Sequence, residues 1–246
     1  MARSSRALKQ NPTFLRGAVP SRFAHHRLHS LEVWESLKLS AKEQMEWISQ
    51  IPESASDLNG WLLLGPPGTG KTTFVTAAIH DWLTLRAIER PDLLESHFNR
   101  REPYNPQQLN YWFTVTDKWL NDVEEWKSRD YGAEDQPEPP SVTPEAIATM
   151  TEETGVRPIL FLDEVDKIGN PTPRRLQLLY GLINEVYNLE GVIVSTANLP
   201  KAKLKSFFRG PIGEPLFRRL TGEQDDPERF LTWTLVPEEL KKPTKK

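Results

Sequence analysis

Apolar residues along this chain fall into short blocks of two kinds, separated by polar and proline-bearing stretches. The first kind is continuous: Trp61-Leu62-Leu63-Leu64, residues 158–162, and the run Gly191-Val-Ile-Val-Ser-Thr196. Runs this short without polar alternation predict strands covered on both faces, as in a parallel sheet. Residues 110–116, Asn-Tyr-Trp-Phe-Thr-Val-Thr, are aromatic and β-branched and predict another strand, and 229–235 a last one. The second kind recurs at helical spacing. Leu31, Val33, Trp34, Leu37, Leu39, Met45, Trp47 and Ile48 predict two short helices before the first strand. Further helices are expected over about 71–88, 117–128, 173–189, 201–208 and 214–221. Pro91 ends the first of these. Thr172 and Pro173 mark the start of the 173–189 helix and Gly191 its end. Strands alternating with helices give an α/β fold, a parallel sheet between two helical layers.

Composition adds limits. A chain of 246 residues with 37% apolar content holds one substantial core, or at most two small ones. There is no cysteine, so disulfide and thiolate chemistry are excluded and a cytoplasmic protein is expected. No apolar run approaches the 18 residues of a membrane span. The net charge of −3 is unevenly spread. Residues 1–31 carry six basic residues, three histidines and no acid, and Lys241, Lys242, Lys245 and Lys246 end the chain. The stretch between is acidic in net charge. Residues 1–30 are therefore read as a flexible basic segment and 237–246 as a basic tail, either solubilising or touching nucleic-acid phosphates. An acid-free, Arg/Ser-rich start also fits an organellar transit peptide, which Pro12 and Pro20 argue against. Residues 129–146, with four prolines and five acids, read as an exposed insertion. His25, His26 and His29 show no acid or cysteine at ligand spacing, so no metal site is expected there.

The chemistry begins right after the first predicted strand. Gly65-Pro66-Pro67-Gly68-Thr69-Gly70-Lys71-Thr72 is a complete G-x-x-x-x-G-K-[ST] loop, followed by Thr73 and a helix. Backbone N–H groups of such a loop wrap nucleotide phosphates, Lys71 reaches the same oxygens, and the Thr72 hydroxyl can ligate Mg²⁺. Some ninety residues on, the third predicted strand ends in Asp163-Glu164. A strand delivers such acids to the carboxyl edge of the sheet, where Asp163 can support Mg²⁺ and Glu164 can polarise a water for attack on the γ-phosphate. Asp166 reads as a surface or capping acid. Asn198 follows the next strand and can orient that water, although an Asn before Leu199-Pro200 is also an ordinary turn residue. Arg218 and Arg219 fall on a short helix, either as ion-pair residues or as cations for a neighbour's γ-phosphate.

In order and spacing these motifs resemble those of an AAA+ ATPase, over about residues 31–236. In that family's terms 65–72 is Walker A, 159–164 Walker B, Asn198 sensor 1 and 214–220 the arginine-finger segment, with Arg219 in the finger position. Within the family the chain is most similar to bacterial helicase loaders and IS21-type transposition helpers, through Ser195-Thr196-Ala197-Asn198-Leu199-Pro200 and Arg218-Arg219-Leu220. The resemblance implies an ATP- and Mg²⁺-dependent ATPase core without a C-terminal helical lid. It also implies a homo-oligomeric ring or spiral that shares ATP between subunits, acts with DNA, and serves a helicase or transposase. Two other readings stay open. One is a nucleotide-dependent switch or scaffold with little turnover; the other is a protein-remodelling chaperone.

Overall fold

A computed structural model describes residues 21–23, 25–37, 39, 41–94, 106–128, 139–169, 171–223 and 227–235. Residues 1–20 of the expected basic segment 1–30, most of the 129–146 insertion and the whole of the 237–246 tail lie outside these residues. Five strands, β1 (Gly60–Leu64), β2 (Tyr111–Val115), β3 (Ile159–Asp163), β4 (Val192–Ala197) and β5 (Phe230–Thr234), form one sheet. Their order is β2-β3-β4-β1-β5, all parallel. Eight helices are described: α1 (Leu31–Ser36), α2 (Ala41–Ile48), α3 (Lys71–Glu89), α4 (Thr116–Ser128), α5 (Pro144–Thr154), α6 (Pro173–Asn188), α7 (Lys201–Phe207) and α8 (Gly213–Thr221).

The continuous apolar runs are explained by two cores. Along β1, Trp61 and Leu63 face one cluster while Leu62 and Leu64 face the other; along β3, Ile159 and Phe161 oppose Leu160 and Leu162. The first core lies under α1 and α3 and is rich in aromatics. Trp61 meets Phe74, Trp82 and Trp233 at ring separations of 5.6, 5.9 and 5.1 Å, and Trp47 meets Trp233 at 4.5 Å. The second core is covered by α4, α5, α6 and α8. The chain leaves β1 for the far edge of the sheet and works back through β3 and β4. That reversal opens a crevice at the carboxyl ends of β1 and β4.

Three expectations need correction. Residues 144–146 open helix α5 rather than closing a loop: the Thr143 hydroxyl accepts from Ala146 N–H, Pro144 occupies the first turn, and Gly155 caps the end at φ 62°. Asn110 lies outside the strand it was placed in, at φ 52°, buried. It donates to Thr151 Oγ1 and the Val156 carbonyl and accepts from Trp112 Nε1, tying β2 to α5. Gly191 closes the end of α6 through its N–H, which donates to the Val186 carbonyl at 2.8 Å, but it is glycine for space and not for its backbone angle. A Cβ there would come within 2.6 Å of Val186 and 2.7 Å of Pro158, and the left-handed residue is Glu190.

Candidate phosphate-loop site

The sheet brings residues 65–72, 163–167 and 196–199 to one place, because β1 and β4 are neighbours and β3 flanks β4. The phosphate loop passes into a 19-residue helix through Gly70, which is left-handed at φ 78°. A side chain at Gly70 would also strike Ser36 of α1, at 2.4 Å from its hydroxyl, so both backbone and space demand glycine. The loop is braced internally by Thr69 Oγ1 donating to the Pro66 carbonyl at 2.8 Å. Pro67 and Gly68 are exposed at its tip, and Thr73 is half-buried in the first turn of α3.

Lys71 is buried. Its ammonium donates to the Gly65 and Pro66 carbonyls at 2.7 and 2.8 Å and to Asn198 Oδ1 at 3.0 Å. Burial lowers its pKa, while Asp166, Asp163 and Glu164 pull it back up. Asp163 is buried as well. It accepts from Thr72 Oγ1 at 3.0 Å and Thr196 Oγ1 at 2.5 Å, and the Thr116 hydroxyl donates to its carbonyl. Burial raises the Asp163 pKa and Glu164 adds to the rise, against the two threonine hydroxyls and Lys71. Glu164 is left-handed at φ 56°, an uncommon conformation for a carboxylate residue. Its N–H donates to Thr196 Oγ1 at 2.9 Å, and its carboxylate pairs with Lys167 at 2.6 Å.

The structure thus gathers Lys71, Thr72, Asp163, Glu164 and Asn198. It also adds residues that the sequence reading undervalued. Asp166, read as a surface or capping acid, has one carboxylate oxygen accepting from both Asn198 N–H and Leu199 N–H at 2.8 Å. Its other oxygen is buried without a partner among the described residues. Thr196 bridges Asp163 and Glu164. The family-like segment 195–200 contains it without giving it a role; the clue to one was its place at the end of the strand beside β3.

Arg218 and Arg219 are not brought to the loop of their own chain. Arg218 is exposed and pairs with Glu214 one turn earlier at 3.0 Å. Arg219 lines a cavity with Asn59, Arg157, Gly191 and Arg229, which stand one or two residues before the strands, so it lies at the opposite edge of the sheet. Five-residue strands separate the two edges by about 16 Å. Another expectation changes near the start of the described chain. Glu32 of α1 approaches His25 and His26, with potential ligand atoms within 4.8 Å of one another, an acid companion the sequence spacing did not reveal.

The family model for the ATPase family associated with various cellular activities (AAA) matches residues 61–210, more than half of the chain. The chain belongs to the AAA family. The five-stranded parallel sheet and phosphate loop are the fold of this class. Among solved structures, a protein of Streptococcus pyogenes serotype M3 described as a primosome component is similar at 14% identity and a TM-score of 0.51, over 89% of this chain and 90% of that one. The DnaC helicase loader is 14% identical at a TM-score of 0.43, over 82% and 99%. AMPPCP-bound DnaA from Aquifex aeolicus is 16% identical at 0.46, over 80% and 47%. At such an identity the first likeness shows the fold alone, and the other two, with TM-scores below 0.5, carry no argument. No curated protein matches the chain in sequence. Among the described residues no helix of this AAA protein is long and apolar enough to cross a membrane.

Proposed function

We propose that this AAA protein binds and hydrolyses ATP with Mg²⁺, and that each nucleotide is shared between two copies of the chain. One observation supports this most: Lys71, Thr72, Asp163, Glu164 and Asn198 converge at one sheet edge while Arg219 stands at the other. A cation at the far edge can serve a γ-phosphate only in a second copy.

The residues fit a hydrated divalent cation, since Thr72 and Asp163 present a hydroxyl and a buried carboxylate side by side, with Thr196 steadying the latter. When bound, Mg²⁺ supplies charge neutralisation at the β- and γ-phosphates. Lys71 binds phosphate oxygens, exchanging loop carbonyls for them. Glu164 accepts a proton from the attacking water, once its carboxylate leaves Lys167. Asn198 orients that water, held in place by Asp166 through the backbone. Arg219, with Arg218 beside it, belongs to the active site of the neighbouring copy.

The reading extends to biological role. Residues 31–236 act as one ATPase domain between basic ends, assembled as a ring or spiral that loads or regulates a DNA-acting partner, a replicative helicase or a transposase. The similarity of 195–200 and 218–220 to the helicase-loader and transposition-helper group supports this role. The ion pair between Lys167 and Glu164 favours a second element, slow turnover until a partner is present, in which nucleotide mainly times assembly. ATPase rates with and without single- and double-stranded DNA test the role. Glu164→Gln tests the chemistry: nucleotide binding persists, turnover falls at least a hundredfold, and an ATP-loaded assembly accumulates. Normal turnover by this variant would remove Glu164 from the mechanism.

A further inference from the structure

Folding supplies the turn at His25 and His26 with an acid that sequence spacing does not. Ring nitrogens of both histidines and a carboxylate oxygen of Glu32, in the first turn of α1, lie within 4.8 Å of one another. A neutral imidazole and a carboxylate each present a lone pair to a cation. The two imidazole rings stand 4.3 Å apart, inclined at 39°. His26 is half-buried, while His25 and Glu32 are exposed.

The backbone beneath these side chains is fixed from both neighbouring helices. Leu28 N–H donates to the Asp81 carboxylate of α3 at 3.2 Å, and Trp34 Nε1 of α1 donates to the Leu28 carbonyl. Arg27 Nη1 donates to the His26 carbonyl at 2.9 Å. Within the turn, His26 N–H donates to the Phe23 carbonyl at 3.2 Å and Ser30 N–H to the Arg27 carbonyl at 2.9 Å. The adjacent arginines are engaged elsewhere. Arg27 Nε stands 3.9 Å from the Asp81 carboxylate, and the Arg22 guanidinium lies 4.5 Å from the centre of the Phe23 ring. Glu32 is therefore left facing the two imidazoles, on a turn that is already in place.

We propose that His25, His26 and Glu32 form a binding site for a divalent transition-metal ion of the Zn²⁺ type, with water completing its coordination. Two imidazoles and one carboxylate are a donor set for zinc, whereas Mg²⁺ and Ca²⁺ call for oxygen ligands throughout. An ion about 2.0–2.2 Å from each ligand atom draws those atoms to about 3.4 Å from one another. From 4.8 Å or less the closure needed is roughly 1 Å, and the exposed His25 and Glu32 side chains make it by rotation while the turn stays where it is. Bound there, the ion ties residues 25–26 to the first turn of α1 and stabilises the folded chain by mass action. The site is separate from the nucleotide site, since no residue of 65–72, 163–167 or 196–199 belongs to it.

Zn²⁺ binding to the full-length chain, stripped of metal and kept free of nucleotide, tests the site. Titration against a chromophoric chelator should show one tight Zn²⁺ equivalent per chain. His25→Ala, His26→Ala and Glu32→Gln should each weaken it by more than about tenfold, the least that even an outer-shell partner of a metal ligand contributes. Saturating Zn²⁺ should raise the Tm of the parent by a few degrees and leave that of the three variants unmoved. His25→Ala and Glu32→Gln change exposed positions and should keep the metal-free Tm of the parent, so their lost affinity is not lost folding. Asp163→Asn, which alters the phosphate-loop site, should bind Zn²⁺ as the parent does, and an excess of Mg²⁺ should not displace the ion. A parent chain without a tight Zn²⁺ equivalent, or parental affinity in all three variants, would overturn the site. Loss of the equivalent in Asp163→Asn, or its displacement by Mg²⁺, would move the binding to the phosphate loop and overturn the proposal equally.

Discussion

The two edges of the sheet are built on opposite electrostatic plans. At the carboxyl edge nearly every charge has its answer inside the chain: Lys71 on two carbonyls and Asn198, Asp163 on two threonines, Asp166 on two backbone N–H groups. At the amino edge Arg157, Arg219, Arg229 and Glu190 line one cavity, and Arg219 has two buried guanidinium nitrogens with no acceptor among the described residues. On the proposed reading Arg219 serves a second copy, and the two edges are complementary halves of one site.

The sharpest way to break this comparison is at Arg219. Arg219→Gln should lower kcat by about a thousandfold while leaving nucleotide affinity within about twofold, since the residue serves another chain's transition state. Stopped turnover together with lost affinity would place Arg219 in its own chain's site. Next in size is Asp166. Asp166→Ala frees the Asn198 and Leu199 N–H groups, and kcat should fall about tenfold at near-constant KM, because the Asn198 amide loses its fixed position. An unchanged kcat would reduce Asp166 to a structural cap.

How far the sequence reached divides along the same line. The carboxyl edge was legible because phosphate contact demands fixed residue types at fixed spacing: Gly70 for its left-handed backbone, Lys71 and Thr72 for their heads, a strand ending in Asp163. The strands were legible for a related reason, since two cores force unbroken apolar runs. Asp166 and Thr196 were hard to see because they act through geometry between β3 and β4, and an acid or threonine after a strand has many uses. At the amino edge only Arg218 and Arg219 were singled out; Arg157 and Arg229 lie far from them in sequence, and only the fold brings their strand starts to Arg219. The start of α5 was hidden by its own proline, since Pro144 both suits a first helical turn and resembles loop punctuation.

Smaller effects sharpen the account of the carboxyl edge. Lys167→Gln releases the Glu164 carboxylate, and basal turnover without DNA should rise about threefold, the scale of an exposed ion pair. A fall would mean that Lys167 assists the base. Asp163 gives a pH signature in the nucleotide-free protein. Burial raises its folded pKa above the ordinary 3.8, so the folded state binds the extra proton. Its contribution to stability is complete below that ordinary value and is lost as pH rises through the raised one. Asp163→Asn removes this loss and retains an acceptor for Thr72 or Thr196. The variant should therefore be more stable than the parent at pH 7 by about 1 kcal/mol, a few degrees in Tm, with the difference vanishing below pH ~4. A less stable variant at pH 7 would show that the threonine hydrogen bonds outweigh burial.

Completion of one copy's site by the next is tested most directly by ATPase rate per chain as a function of protein concentration. The rate per chain should climb steeply with concentration and level off once assembly is complete, with Arg219→Gln flat and low throughout. A rate per chain that is constant over the whole range, and unaltered in Arg219→Gln, would show that each copy hydrolyses ATP alone.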